Sequence, residues 1–286
     1  MTITRALRPA VAAAVLLGLA ACGESGGAEG QAATASVVPA AAEGLVLRVE
    51  YVGGFVAPSA LAGRLPLVSV YADGRVIAEG PVAAIYPGPA LPNVQEQHID
   101  QGAVQDLVDR ALAAGVAETS DLGTPPVADA PSTRITVVTS SETYVREAEA
   151  LFETAPDGNG LTAGQQAARA ELSDFLATLT DTSGGQDAEP YVPEAIAAVA
   201  SPWSDPEDGL VQPEVPWPGP ELPGEPTGEP SDVTCVTASG DQARALLAAA
   251  SPATAATPWV TADGGRWSVT FRPLLPDEAG CADLTD

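Results

Sequence analysis

The chain has 286 residues, of which 38 are acidic and 12 basic, and its formal net charge at pH 7 is −26. Phosphate backbones and anionic headgroups repel a chain of this charge, which excludes nucleic acid as a partner held by electrostatic attraction. With one histidine and two cysteines that are expected to pair in a disulfide, the chain also lacks the ligands of an ordinary zinc or copper site. The length allows two modest domains.

The first 21 residues have the three zones of a bacterial export signal. Arg5 and Arg8 give a positive start, and the apolar run over residues 11–19 is roughly half as long as a membrane-spanning helix. Residues 19–22, Leu-Ala-Ala-Cys, resemble the lipobox of bacterial lipoproteins. The resemblance implies that residues 1–21 are removed and that a lipid on Cys22 anchors the mature protein to the outer face of the cell membrane. The alternative is an ordinary secretory signal with an incidental cysteine.

Residues 22–43 consist mainly of Gly, Ala, Ser, Thr and Gln with a few acids, and they show no apolar period. This composition predicts a flexible tether between the lipid and the folded part of the chain. The membrane, reached through the lipid on Cys22, is therefore the first partner that the sequence predicts. The lipid would hold the acidic folded part of the chain near a membrane whose anionic headgroups repel it.

Residues 44–182 are predicted to form a first α+β module. Its strands are rich in β-branched and aromatic residues, and Asp73-Gly74 between two of them indicates a hairpin. Two segments have apolar residues at helical spacing, and the first is expected to end at Gly115, where a C-cap belongs. The predicted strands cover residues 45–52, 67–71, 75–77, 134–139 and a short partner ending at 145, and the predicted helices cover 99–115 and 163–179.

Residues 183–190 are rich in Ser, Gly, Gln and acids, which predicts a linker. Residues 191–286 are predicted to form a second, reduced α+β module. No element is predicted in its Pro-rich entry over residues 191–230. The predicted elements that follow are strands at 233–237 and 267–272 and a helix at 242–250.

The cysteine count predicts one disulfide. Once Cys22 is lipidated, Cys235 and Cys281 remain, and an even pair in an exported protein indicates a bridge. Such a bridge would close a loop of about 45 residues and stabilise the fold by roughly 3–4 kcal/mol in the chain-entropy model. The alternatives are two free thiols or a metal-binding pair.

Four short blocks recur in the same order, about 130 residues apart. They begin at Tyr86 and Trp217, at Arg110 and Arg244, at Thr124 and Thr257, and at Arg134 and Arg266. The recurrence predicts a duplicated unit, and the alternatives are compositional coincidence and a single pseudo-symmetric fold. We therefore predict an α+β protein of two related modules, each a small, mainly antiparallel sheet with a packed helix.

Four aromatic residues are candidates for a binding surface. Tyr86 and Trp217 each precede a Pro-Gly-Pro segment, which cannot complete a sheet ladder and is expected at a sheet edge. We expect both side chains to pack back onto their module, either as a core plug or as a platform for a ligand. Phe55 and Trp259 complete the set.

No motif in the sequence assembles a catalytic site. His98 is the single histidine, and no Gly-x-Ser-x-Gly elbow positions a nucleophile for it. The absence of lysine excludes a phosphate-binding P-loop, and the carboxylates stand in no recognisable frame. The sequence thus predicts no catalytic residue, no cofactor, no metal and no enzymatic activity. An enzyme built from scattered carboxylates and hydroxyls is the alternative.

The order of a strand, Gly53-Gly54-Phe55, a hairpin, a helix and a strand pair is similar to that of emfourin-type inhibitors of metallopeptidases. This resemblance implies a peptidase partner and a rigid exposed loop near Phe55. The chain also resembles actinobacterial lipoproteins in its lysine-free composition and in its segment over residues 271–281. The function predicted from these patterns is that of a surface-tethered binding or structural lipoprotein with an envelope protein as partner. A protease-inhibitor-like module is the alternative.

Overall fold

Two mainly antiparallel sheets and four α-helices make up residues 44–153, 160–183, 187–227 and 232–284, which the computed structural model describes. The predicted α+β class is confirmed. The predicted signal peptide, Cys22 and the tether lie outside the described residues. Within the described ranges, no helix is both long enough and apolar enough to cross a membrane.

The first sheet has seven strands in the spatial order β6-β5-β1-β2-β3-β4-β7, and all neighbours run antiparallel. β1 has the predicted bounds, and Gly74 makes the predicted hairpin turn with a positive φ of 93°. The last strand, β7, is formed by residues that the sequence analysis placed in the linker. The strands are β1 (Leu45–Val52), β2 (Val68–Tyr71), β3 (Arg75–Glu79), β4 (Val94–His98), β5 (Ser132–Val138), β6 (Thr143–Glu149) and β7 (Glu189–Pro190).

The helices of the first half are α1 (Pro58–Ala62), α2 (Gln101–Ala113) and α3 (Ala163–Ser183). The side chain of Asp100 caps α2 by accepting a hydrogen bond from Ala103 N at 2.9 Å, and Gly115 follows the helix with a φ of 90°. The apolar sides of α2 and α3 pack on one face of the first sheet and enclose the largest core of the protein. Local patterning and capping therefore place α2 and α3 close to their predicted positions, whereas α1 was not predicted.

The second sheet has six strands in the order β10-β11-β8-β13-β12-β9, and only the β9–β12 pair is parallel. The expectation of no element in residues 191–230 is wrong, because this segment contains three strands, including the long inner strand β8. The alanine-rich β8 has only two β-branched residues, Ile196 and Val199, and so gives a weak strand signal, yet its small side chains allow both faces to be covered closely. The elements are β8 (Ala195–Pro202), β9 (Val215–Pro216), β10 (Glu225–Pro226), β11 (Thr234–Ser239), α4 (Gly240–Ala250), β12 (Trp259–Val260) and β13 (Arg266–Pro273).

Each half of the chain covers a sheet of the other half. Beyond β13 the chain crosses onto the first sheet, where Leu275 packs with Tyr71 and Ile77 on the face opposite to α2 and α3. In return, Ala62 of α1 packs with Val199 on the face of the second sheet opposite to α4. Successive strand residues point to opposite faces, so both faces of each sheet become apolar cores. The two sheets consequently belong to one compact unit.

Candidate binding surface

Two of the four candidate aromatic residues belong to the core of the second sheet. Trp259 is fully buried, and Trp217 is half-buried with its ring centroid 5.8 Å from that of Trp259. Phe271 stacks on Trp217 and meets Trp259 edge-to-face, and Trp217 Nε1 donates a hydrogen bond to Pro220 O at 2.6 Å. Trp259 therefore cannot form part of a binding surface, and that prediction is wrong for it. Trp217 takes the alternative role of a core plug.

Tyr86 has the opposite environment, although it opens the same Pro-Gly-Pro motif. Its side chain is 69% exposed, and its hydroxyl donates a hydrogen bond to Asp208 Oδ2 at 2.8 Å. The expected core plug is therefore absent at this position. The contact instead joins a loop of the first half to a loop of the second half.

These two loops, residues 80–92 and 203–214, carry five exposed large apolar side chains. Val211 is the most exposed of them, at 93%. We call the five side chains the two-loop surface: they are Val82, Ile85, Tyr86, Leu210 and Val211. Soluble proteins expose isolated apolar residues freely, but several together on adjoining loops mark an interaction site.

The turn that follows α4 braces both loops. Ala255 N donates to Gly88 O at 2.9 Å and Ala90 N donates to Ala253 O at 3.1 Å, which fixes the first loop. Thr254 Oγ1 donates to Gln212 Oε1 at 2.9 Å, which fixes the second loop. The exposed side chains are thus carried by backbone that is already ordered, so a partner that binds them meets a smaller entropy cost.

The charged residues of the two loops themselves are all acidic, although Arg266 of β13 lies over the ring of Trp203 in the second loop. Residues 80–92 contain no charged side chain, whereas residues 203–214 contain four acids and no base. Asp208 accepts hydrogen bonds from Leu210 N at 2.8 Å and from the Tyr86 hydroxyl, and these bonds lower the pKa of its carboxyl group. Glu214 is paired with Arg266 at 3.0 Å. The surface is therefore apolar with an acidic margin, and the lowered pKa of Asp208 favours its ionised form.

Phe55 is presented separately, on a turn that follows β1. Its side chain is 85% exposed, and Gly53 and Gly54 before it have φ values of 63° and 83°, which few other residues adopt. Arg64 Nη1 donates to Gly53 O at 3.0 Å, and Phe55 N donates to Asp129 O at 3.2 Å. The predicted exposed loop at Phe55 is therefore held at both ends by hydrogen bonds.

An ion-pair network that the sequence analysis did not predict lies where the C-terminal segment meets the first sheet. Asp277 Oδ1 accepts from Arg48 Nη2 at 2.8 Å and from the Tyr71 hydroxyl at 2.7 Å. Burial and this hydrogen bond raise the pKa of Tyr71. Glu278 Oε1 accepts from Arg272 Nη2 at 2.7 Å. Arg48 and Tyr71 are more than 200 residues from Asp277 in the sequence, so no local pattern could have predicted their contacts. The network consists of mutually satisfied charges and is suited to holding the segment in place.

A groove of three adjoining cavities, about 470, 460 and 510 Å³ in volume, follows this segment and the end of the first sheet formed by β4 and β7. Arg75 lines the first two cavities and Glu96 the last two. Tyr191 lies in the groove, where burial raises its pKa to about 12. His98 lines the far end, with Nδ1 4.0 Å from Glu96 Oε1. This pair is largely solvated and has the geometry of a weak surface contact.

Cys235 and Cys281 form the predicted disulfide, with sulfurs 2.00 Å apart. The bridge fixes the short 3₁₀ helix over Cys281–Leu284 to β11. The alternatives of free thiols or a metal-binding pair are therefore wrong. Cys22 lies outside the described residues.

The part of the chain that the structure describes contains no group of three or more His, Cys, Asp or Glu residues placed to hold a metal ion. No protein-family model, curated protein or solved structure matches the chain.

Proposed function

We propose that this chain is a lipid-anchored, non-enzymatic binding protein of the cell envelope, which contacts an envelope partner through the two-loop surface. The observation that carries the proposal is the group of five apolar side chains exposed on two braced loops. Fully burying a side chain of this size stabilises a complex by about 1.5–3 kcal/mol before the costs of association. A surface of this kind favours a protein partner over a small molecule, because its apolar side chains are exposed on loops.

The sequence supports the location of this activity. The positive start, the short apolar run and the Leu-Ala-Ala-Cys segment ending at Cys22 are the features of a lipoprotein signal. A lipid on Cys22 and a tether of about twenty residues would keep the two-loop surface within a short distance of the membrane. The partner would then be a membrane-proximal protein facing outside the cytoplasm.

We also propose that the two sheets derive from related modules. The blocks that begin at Arg110 and Arg244 both lie in helices, α2 and α4, and the blocks at Arg134 and Arg266 both lie in strands, β5 and β13. In each half the helix thus precedes the strand. The duplication would explain why one Pro-Gly-Pro motif occurs in both halves, with its first copy available for the two-loop surface.

Site-specific photocrosslinking in intact cells tests the binding function. A photoreactive residue in place of Tyr86 or Val211 is expected to give a discrete crosslinked adduct, because both side chains point to solvent on the two-loop surface. Val145 on β6 is the matched control, since it is also an exposed aliphatic residue but belongs to another part of the protein.

In the same experiment, Cys22→Ala is expected to move the protein out of the membrane fraction and to reduce the yield of the adduct, because the lipid no longer concentrates it near its partner. Equal adducts at Tyr86 and Val145, or none at Tyr86 and Val211, would contradict the proposed binding function. An unchanged membrane fraction for Cys22→Ala would contradict the lipid anchor alone.

A second candidate function, inhibition of an exported metallopeptidase, is favoured by the exposure of Phe55 on a braced Gly-Gly turn. If this function holds, the purified mature chain slows such a peptidase from its host, and Phe55→Ala weakens the inhibition by at least about tenfold, the effect expected for an aromatic anchor. Val192→Ala removes an equally exposed side chain elsewhere and should leave the inhibition constant unchanged. If the mature chain does not change the activity of the peptidase, the inhibitor function is wrong.

A further inference from the structure

The chemistry of the two-loop surface specifies its partner more closely than exposure alone. Asp208 lies between the apolar side chains of the two loops, because one carboxylate oxygen accepts from Leu210 N and the other from the Tyr86 hydroxyl. Asp205 and Glu207 precede it on the same loop, and Asp205 Oδ1 accepts from Glu207 N at 2.9 Å. Apolar contacts and negative charge are therefore offered together, by backbone whose position is set.

This combination disfavours two of the common occupants of an apolar surface. A second copy of the chain would bring its own Asp205, Glu207 and Asp208 against the same acids, and like charges in contact cost several kcal/mol. An anionic membrane would repel the acidic margin in the same way. A partner with complementary charge must carry lysine or arginine around its apolar side chains.

We propose that the two-loop surface binds a protein segment in which aliphatic side chains are flanked by lysine or arginine. The aliphatic groups would pack on Val82, Ile85 and Val211, and the cations would pair with Asp205 and Asp208. An ionised carboxylate accepts about four hydrogen bonds, so Asp208 retains capacity for a cation beside its bonds to Leu210 and Tyr86. This inference rests on the proposed function, which it deepens by naming the chemistry of the partner.

Peptide binding to the full mature chain tests the inference, with Cys22→Ser used to omit the acyl chains. The probe is a dye-labelled synthetic peptide of leucine and lysine, whose affinity is measured by fluorescence anisotropy at several salt concentrations. Ile85→Ser combined with Val211→Ser is expected to weaken binding by at least about tenfold, since both aliphatic contacts are lost. Asp205→Asn combined with Asp208→Asn is expected to weaken binding by about tenfold at low salt and to reduce its salt dependence.

Matched variants separate this surface from the general acidity of the chain. Val145→Ser removes an exposed aliphatic residue on β6, and Glu171→Gln with Asp174→Asn removes two exposed acids of α3. Both controls should bind the probe as the parent chain does. A peptide of leucine and glutamate and a peptide of serine and lysine should each bind much more weakly than the probe.

Three results would overturn the inference: equal weakening by the control variants, equal affinity for the leucine-glutamate peptide, or tighter association with neutral phosphatidylcholine vesicles than with the probe. Self-association of the parent chain through Val211 would favour the second copy and would also overturn it. If crosslinks at Tyr86 and Val211 form in cells but the loop variants bind the probe with the affinity of the parent chain, the proposed partner chemistry is wrong and the binding function stands. If neither occurs, both fail.

Discussion

Replacing Glu278 with alanine is expected to lower the free energy of unfolding of the mature chain by about 3–5 kcal/mol, the range measured when one partner of a buried ion pair is removed. The side chains of Arg272 and Glu278 are 2% and 5% exposed. Without the carboxylate, the Arg272 guanidinium keeps its hydrogen bonds to the carbonyls of Arg64 and Pro273 but loses the carboxylate that it contacts directly. Leu275 N also loses its acceptor, Glu278 Oε2. Urea unfolding followed by tryptophan fluorescence measures the change.

Three variants make this result specific. Glu147→Ala breaks the exposed pair with Arg134 at 2.6 Å and should cost no more than about 1 kcal/mol. Glu278→Gln retains an oxygen for Leu275 N and should destabilise less than Glu278→Ala. Arg272→Met combined with Glu278→Leu removes both charges and should be more stable than Glu278→Ala. An effect of Glu278→Ala no larger than that of Glu147→Ala would show that the pair does not hold the C-terminal segment.

Reduction of the Cys235–Cys281 disulfide is expected to lower the free energy of unfolding by about 2–4 kcal/mol, since the bridge closes a loop with a sequence separation of 46. Its loss should first release the short helix over Cys281–Leu284, which packs beside Ala62 and Leu274 at the contact between the halves. The measurement compares urea unfolding with and without a reducing agent, together with proteolysis of the C-terminal segment under native conditions.

The double variant Cys235→Ala with Cys281→Ala serves as the reference for this experiment. It should match the reduced parent chain in stability and should not respond to the reducing agent. If the reducing agent destabilises both proteins equally, the effect does not come from this bridge. If reduction leaves the free energy of unfolding of the parent chain unchanged, the disulfide does not stabilise the fold as its position indicates.

Local patterns predicted most of the regular structure, because strands and helix caps depend on neighbours within a few residues. β1 was predicted with its observed bounds, and the Asp73-Gly74 hairpin and the end of α2 near Gly115 were also predicted. β8 was missed because alanine carries little strand signal. The strand forms in the middle of its sheet because β11, β13 and cores on both faces stabilise it, and these contacts come from residues far away in the chain.

The two copies of the Pro-Gly-Pro motif show that a local pattern does not predict whether the aromatic side chain before it is buried. Trp217 enters the core because β9 pairs with β12 and brings it against Trp259. Tyr86 stays exposed because Pro89 pairs with Thr254 of the other half, which holds the loop over Asp208. The motif is the same in both places, but the surface available for each aromatic ring is set by a distant segment.

The sequence by itself determined the charge of the chain, the choice of Cys235 and Cys281 as the disulfide pair and most of the local elements, since each depends on composition or on neighbouring residues. The expectation of a lipid on Cys22 also comes from the sequence. The tertiary structure alone decided that Trp259 is buried and Tyr86 exposed, that Arg48 pairs with Asp277, and that two loops meet in one apolar surface. These outcomes depend on contacts between residues far apart in the chain, and burial is a property of those contacts.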